Sequence, residues 1–171
     1  KKSLTDLLYR TAKIELYKSA TLKEMSRPGE SERDFRARMQ QKARELRLAI
    51  AQPEKIRNNA EFRTQLEALE PDCIVVVGYG RIIPRWMLDL PKHGNINLHA
   101  SLLPSYRGAA PIQWAIARGE TVTGNTTMFS DSGVDTGKML LKQQVPIGAD
   151  TNAEELAETM SRTGAELVIE T

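Results

Sequence analysis

One cysteine, Cys73, stands in the whole chain. A disulfide within the chain is therefore impossible, and a metal cluster built on thiolates is excluded. Cys73 opens the apolar run Cys73-Ile-Val-Val-Val77 and is read as a packed strand residue. No stretch approaches the roughly 18 consecutive apolar residues that a membrane helix needs. Nor does Lys1-Lys2-Ser3-Leu4 lead into an apolar segment long enough for a signal peptide. The expectation is a soluble cytoplasmic protein with no membrane partner. The chain also lacks a Gly-Lys-Ser/Thr phosphate loop, a Gly-x-Ser-x-Gly elbow and paired histidines at helical spacing, so kinase and hydrolase readings lose support. Internal repeats and low-complexity tracts are missing too.

What is present is globular: 171 residues, 40% apolar and 27% charged, which allows one sizeable core plus extensions. A formal charge of +2 does not argue for nucleic acid by itself, but Arg33, Arg36, Arg38, Lys42, Arg44 and Arg47 crowd one segment. The chain changes character near residue 50. Before it, Leu4, Leu8, Ala12 and Leu16 recur at helical spacing, Arg27-Pro28-Gly29 breaks the pattern, and Ser31 with Asp34 looks like the cap of a second helix. That helix, expected from Ser31 to Arg47, carries the apolar stripe Phe35, Met39, Ala43 and Leu46. Its basic face is either solvated or touches RNA phosphates.

After it, apolar strand-like runs alternate with amphipathic helices. Strands are expected at Leu48–Ala51, Cys73–Val77, Asn95–His99, Asn125–Phe129 and Met139–Val145. Helices are expected from Ile56 to Leu69, closed by Pro71, then around Arg85–Leu88 and at Pro111–Ala117. A last helix carries the stripe Leu156, Met160, Thr163 and Leu167 and opens on a capping box of Thr151 and Glu154. This alternation predicts an open, mostly parallel α/β sheet flanked by helices, with the β-branched run at Cys73–Val77 buried on both faces.

Along Asn97-Leu98-His99 the strand period of two turns both polar side chains to one face, at the carboxyl end where open α/β sheets bind ligands. A histidine satisfied within the core is the bland alternative. The loop Asp131-Ser-Gly-Val-Asp-Thr-Gly137 follows the next strand, and its glycines permit the tight path that would bring Asp135 to His99. An ordinary turn capped by Asp131 would explain the same residues. A calcium loop would not, because Gly133, Thr136 and Lys142 occupy places where acid or amide, Gly and Glu are needed. A dinucleotide reading of Gly78-Tyr-Gly80 fails as well, since the third glycine would fall at Ile83.

The stretch Asn97-Leu-His-Ala-Ser-Leu-Leu-Pro-Ser-Tyr-Arg-Gly108 closely resembles the signature of the folate-dependent formyltransferases. Gly133-Val-Asp135-Thr-Gly137 resembles the second signature of that family. The resemblance implies a Rossmann-like catalytic domain with Asn97, His99 and Asp135 as its catalytic trio. It also implies a folate pocket bordered by Tyr79, Gly80, Arg81, Ile82 and Ile83 and by Ser101, Leu102, Leu103 and Pro104. The formyl donor would be 10-formyltetrahydrofolate, and no metal is required. Gly108-Ala-Ala-Pro-Ile-Gln113 looks most like the members that formylate the amino group of initiator methionyl-tRNA. Glycinamide ribonucleotide or an aminosugar is the alternative acceptor, and an inactive chain that only binds folate or RNA is a second alternative. The resemblance covers residues 41–171, a partial catalytic domain. Residues 1–40, with no recognised counterpart of the family's first βα unit, form a charged helical extension, and no counterpart of the C-terminal barrel follows.

Overall fold

The computed structural model describes residues 18–19, 24–25, 31–45 and 51–171. Two compact units divide the chain, Lys1–Gln52 and Pro53–Thr171. The expected boundary between residues 40 and 41 thus lies inside the first unit.

In that unit β1 (Lys18–Ser19) and β2 (Glu24–Met25) pair antiparallel, and α1 spans Glu32–Glu45. The Ser31 hydroxyl accepts the Asp34 amide at 3.1 Å, so the expected cap satisfies one of the free N–H groups of the first turn. Phe35 and Met39 are buried and the Arg38 guanidinium lies 5.4 Å from the Phe35 ring centre. The helix expected around Leu4–Leu16 lies outside the described residues, as do Leu46 and most of the Leu48–Ala51 strand.

The second unit begins with α2 (Ala60–Glu67), shorter than the expected Ile56–Leu69 because Asn59 caps it by accepting the Phe62 amide. Then follow β3 (Ile74–Val77), α3 (Arg85–Leu88), β4 (Asn95–His99), α4 (Pro111–Ala117), β5 (Val122–Phe129), β6 (Met139–Pro146) and α5 (Ala153–Glu170). The sheet runs β3-β4-β5-β6. It is open and flanked by helices, but it is mixed: β3 and β4 are parallel, while β4–β5 and β5–β6 are antiparallel.

This corrects the mostly parallel expectation, and the connections give the reason. A parallel return needs a crossover that carries the chain back along the sheet. The β5–β6 loop, residues 130–138, is too short for one. Between β4 and β5 the chain leaves and re-enters at the same edge, since His99 pairs with Thr126 and β5 starts beyond it. The β4–α4 loop, residues 100–110, and α4 therefore gather at the carboxyl end of β4.

The α5 helix packs on β5 and β6, where Val145, Leu156 and Met160 form a core joined by Ile112 and Ile116 of α4. Gly164 lets α5 approach the sheet, since a Cβ there would lie 2.7 Å from a Leu98 methyl. Asn125 is 1% exposed and donates to the Met160 carbonyl and to Thr163 Oγ1, both at 3.0 Å, so a polar strand residue fastens the helix. Val75 and Val77, by contrast, are 48% and 50% exposed, which corrects the expectation of a strand covered on both faces. Among the described strands β3 is an edge, and α5 covers its neighbours further along. No helix among the described residues is long and apolar enough to cross a membrane.

Candidate active site

On β4 the faces divide as the alternation requires. Leu98 meets α5, while Asn97 and His99 share the other face with their cross-strand partners Met128 and Thr126. Asp135 reaches this face from an unexpected direction. The β5–β6 loop leaves beside Asn95, whose carbonyl takes the Ser130 amide at 2.8 Å, and doubles back over the sheet. Asp131 organises the reversal by accepting the Gly133 amide at 2.9 Å and the Thr136 hydroxyl at 2.8 Å. Asp131 thus makes an ordinary turn, and the same loop carries Asp135 back to His99. Gly137 passes against the Phe129 carbonyl, where a Cβ would collide. Asp135 itself sits in the left-handed region at φ 51°, a strain of about 1–3 kcal/mol of the kind that collects at functional sites.

The three expected residues come together. Asn97 Nδ2 donates to Asp135 Oδ1 at 3.1 Å, and His99 Nδ1 lies 3.4 Å from Asp135 Oδ2. His99 is 6% exposed, and its Nε2 stands 2.8 Å from the Tyr106 carbonyl oxygen. A carbonyl only accepts, so Nε2 carries a proton in this arrangement. Oδ2 also accepts the Gly108 amide at 2.8 Å. Thus the Asn97 amide and the Gly108 N–H donate to one carboxylate, and His99 Nδ1 lies beside it.

The sequence reading did not find the Tyr106 carbonyl or the Gly108 amide, because backbone groups carry no side-chain signal. The Gly in Tyr106-Arg107-Gly108 was the available hint: Gly108 has φ 88° and Tyr106 φ 56°, so this bend turns the backbone toward the site.

The residues expected to border folate occupy two loops that leave the adjacent carboxyl ends of the parallel pair β3 and β4. Tyr79 and Ile82 are exposed, and Arg81 donates to the Glu54 carbonyl at 3.2 Å. Partial burial raises the pKa of Tyr79, against a smaller lowering by Arg81. Gly78 and Gly80, at φ 56° and 68°, bend the loop. Ile83 is half-buried. In the other loop Ser101 is fully buried and donates to the Ser105 carbonyl at 2.6 Å, and Leu103 is buried with its amide on Thr126 Oγ1 at 3.1 Å. Leu102 is half-buried and Pro104 exposed. Ser101 and Leu103 hold the loop's shape, whereas Tyr79, Gly80, Arg81, Ile82 and Pro104 are exposed. Among the described residues no group of acidic, His or Cys side chains could hold a metal ion.

Residues 18–171 match the family described as Formyl transferase. Methionyl-tRNA formyltransferase of Koribacter versatilis is 64% identical over 126 residues, 74% of this chain and 40% of the relative. The enzyme of the same name from Acidobacterium capsulatum is 64% identical over 124 residues, 72% of this chain and 40% of the relative. The chain therefore spans about two fifths of the length of these relatives. Among solved structures, phosphoribosylglycinamide formyltransferase from Bacillus halodurans has a TM-score of 0.64 at 26% identity, covering 74% of this chain and 69% of its own. Glycinamide ribonucleotide transformylase 1 from Geobacillus kaustophilus has a TM-score of 0.63 at 30% identity, covering 75% and 71%.

Proposed function

Because this chain belongs to the formyl transferase family, we propose that it carries the catalytic site for passing a formyl group from 10-formyltetrahydrofolate to the amino group of initiator methionyl-tRNA, in the cytoplasm. The observation that carries the reading is the convergence of Asn97, His99 and the Gly108 amide on the Asp135 carboxylate. Identity of 64% to enzymes named for methionyl-tRNA, against 26% and 30% to the solved structures named for glycinamide ribonucleotide, favours the tRNA acceptor.

The donor supplies a formyl carbon already bonded to nitrogen. A new C–N bond forms to the acceptor amine, the old one breaks, and negative charge gathers on the formyl oxygen between the two events. Asn97 Nδ2 and His99 Nδ1 are the paired donors for that oxygen, each worth about 3 kcal/mol in comparable sites. Asp135 balances a charged His99 and takes the proton that the amine loses, directly or through water. The leaving nitrogen takes up a proton in turn. The Tyr106 carbonyl, by accepting from Nε2, fixes the ring so that Nδ1 is turned toward Asp135, where the reacting groups would meet it.

The decisive measurement is single-turnover formyl transfer from 10-formyltetrahydrofolate to methionyl-tRNA. Transfer that collapses in His99→Ala and Asp135→Asn while folate affinity holds is the expected result. Equal rates in both variants and the parent chain would remove the assignment, and a preference for glycinamide ribonucleotide would replace the acceptor.

A further inference from the structure

Next to the catalytic trio lies a cavity of about 490 Å³, bounded by Tyr106, Arg107, Trp114, Arg118 and Glu120. Its volume falls in the range of about 300–1,000 Å³ of ligand pockets. None of these side chains is used by the transfer chemistry, and the Trp114 indole is 52% exposed although indoles are usually covered. The Arg118 guanidinium lies 5.3 Å from the Tyr106 ring centre and 5.7 Å from that of Trp114, so three flat groups make one platform. Tyr106 donates its hydroxyl to Glu120, which raises the phenol's pKa and occupies the one acid at the rim. Arg107 is exposed beside them. Two guanidiniums and a stacking platform with a single engaged carboxylate form a site for a flat heterocycle that carries an anion.

Resting on the function proposed above, we propose that this cavity is a nucleotide subsite for the single-stranded 3′ end of the acceptor RNA, with a base stacked on Trp114 and Arg118 and a phosphate on Arg107. The subsite and the trio share one bend, since the Tyr106 carbonyl faces His99 and the Gly108 amide binds Asp135. A base held here brings the amine at the RNA terminus to the reacting side. Ser101, Leu102, Leu103 and Pro104, expected for the donor, precede Tyr106 in the same loop, but none of them lines this cavity.

The test uses the full chain and a short single-stranded RNA with a tRNA 3′-terminal sequence. Binding is followed by tryptophan fluorescence and by the anisotropy of an end-labelled copy. The RNA should quench the fluorescence. Trp114→Leu should abolish the quench and weaken binding about 5- to 150-fold, the range for one lost base stack. Arg107→Gln and Arg118→Gln should each weaken binding, and Arg107→Gln should lower the salt slope by about 0.7, as for one single-strand phosphate. Tetrahydrofolate should leave Trp114 unquenched. Wild-type RNA affinity in folded Trp114→Leu and Arg118→Gln, or folate quenching that competes with RNA, would overturn the subsite. Formyl transfer is measured on the same proteins. RNA binding through Trp114 without transfer supports the subsite and removes the catalytic reading, whereas transfer with an unaffected Trp114→Leu does the reverse.

Discussion

Asp135 is the residue on which the site turns, because one carboxylate gathers Asn97, His99 and the Gly108 amide while its backbone stays in a left-handed conformation. Asn97→Ala should cost about a hundredfold or more in transfer rate, the loss of one oxyanion donor, with folate affinity little changed. Rapid-quench transfer assays beside equilibrium folate titrations check this, and a variant that loses folate affinity instead would make Asn97 a binding residue. Ser101→Ala should act differently, since its buried hydroxyl serves the Ser105 carbonyl. Urea unfolding should show a loss of about 1 kcal/mol. Asn97 and His99 were legible in the sequence because a strand's period of two leaves no other arrangement. The help they receive from Tyr106 and Gly108 was not, since the loop that supplies it is shaped by positive-φ turns rather than by a repeating pattern.

Elements follow their local signals closely wherever the signal is local. Arg85–Leu88, Asn95–His99 and Pro111–Ala117 form the expected segments. The last helix starts one residue late: the box is Asn152 with Glu155, not Thr151 with Glu154. Thr151 is engaged in a turn with Gly148, donating its amide to the Gly148 carbonyl and accepting the Gly148 amide on Oγ1, each at 3.1 Å. Asn152→Ala should therefore destabilise the chain by about 1 kcal/mol in chemical denaturation. A larger loss from Thr151→Ala would contradict the assignment. Gly164→Ala should cost about 1–3 kcal/mol, because the added methyl meets Leu98 across a packed face. An unchanged unfolding midpoint would show that α5 can back away. Buried Asn125 and Asn95 belong to the same scale: the first holds α5, and the second donates to the carbonyls of Met87 and Leu88 at the end of α3. Their polarity reads as surface in a sequence and becomes structural only when a helix end or a helix backbone lies beside it.

At the scale of the molecule, a net charge of +2 is small, yet Lys and Arg crowd the Arg33–Arg47 segment. If the acceptor is a tRNA, its KM should rise steeply between about 50 and 200 mM salt while kcat holds, since phosphate contacts release counterions. A salt-independent KM, read from initial rates, would argue for a small acceptor. Within residues 53–171 the sequence by itself determined which segments are strands and helices, which two strand residues face together, and, through its two signatures, the family. Those properties depend on neighbours a few positions apart, where backbone sterics and side-chain period act. Tertiary structure alone decided the sheet's mixed pairing, the exposure of Val75 and Val77 at its edge, and the path by which Asp135 folds back to His99. These follow from which elements cover one another and how far each connection can reach, quantities set by the packed whole rather than by any one stretch of the chain.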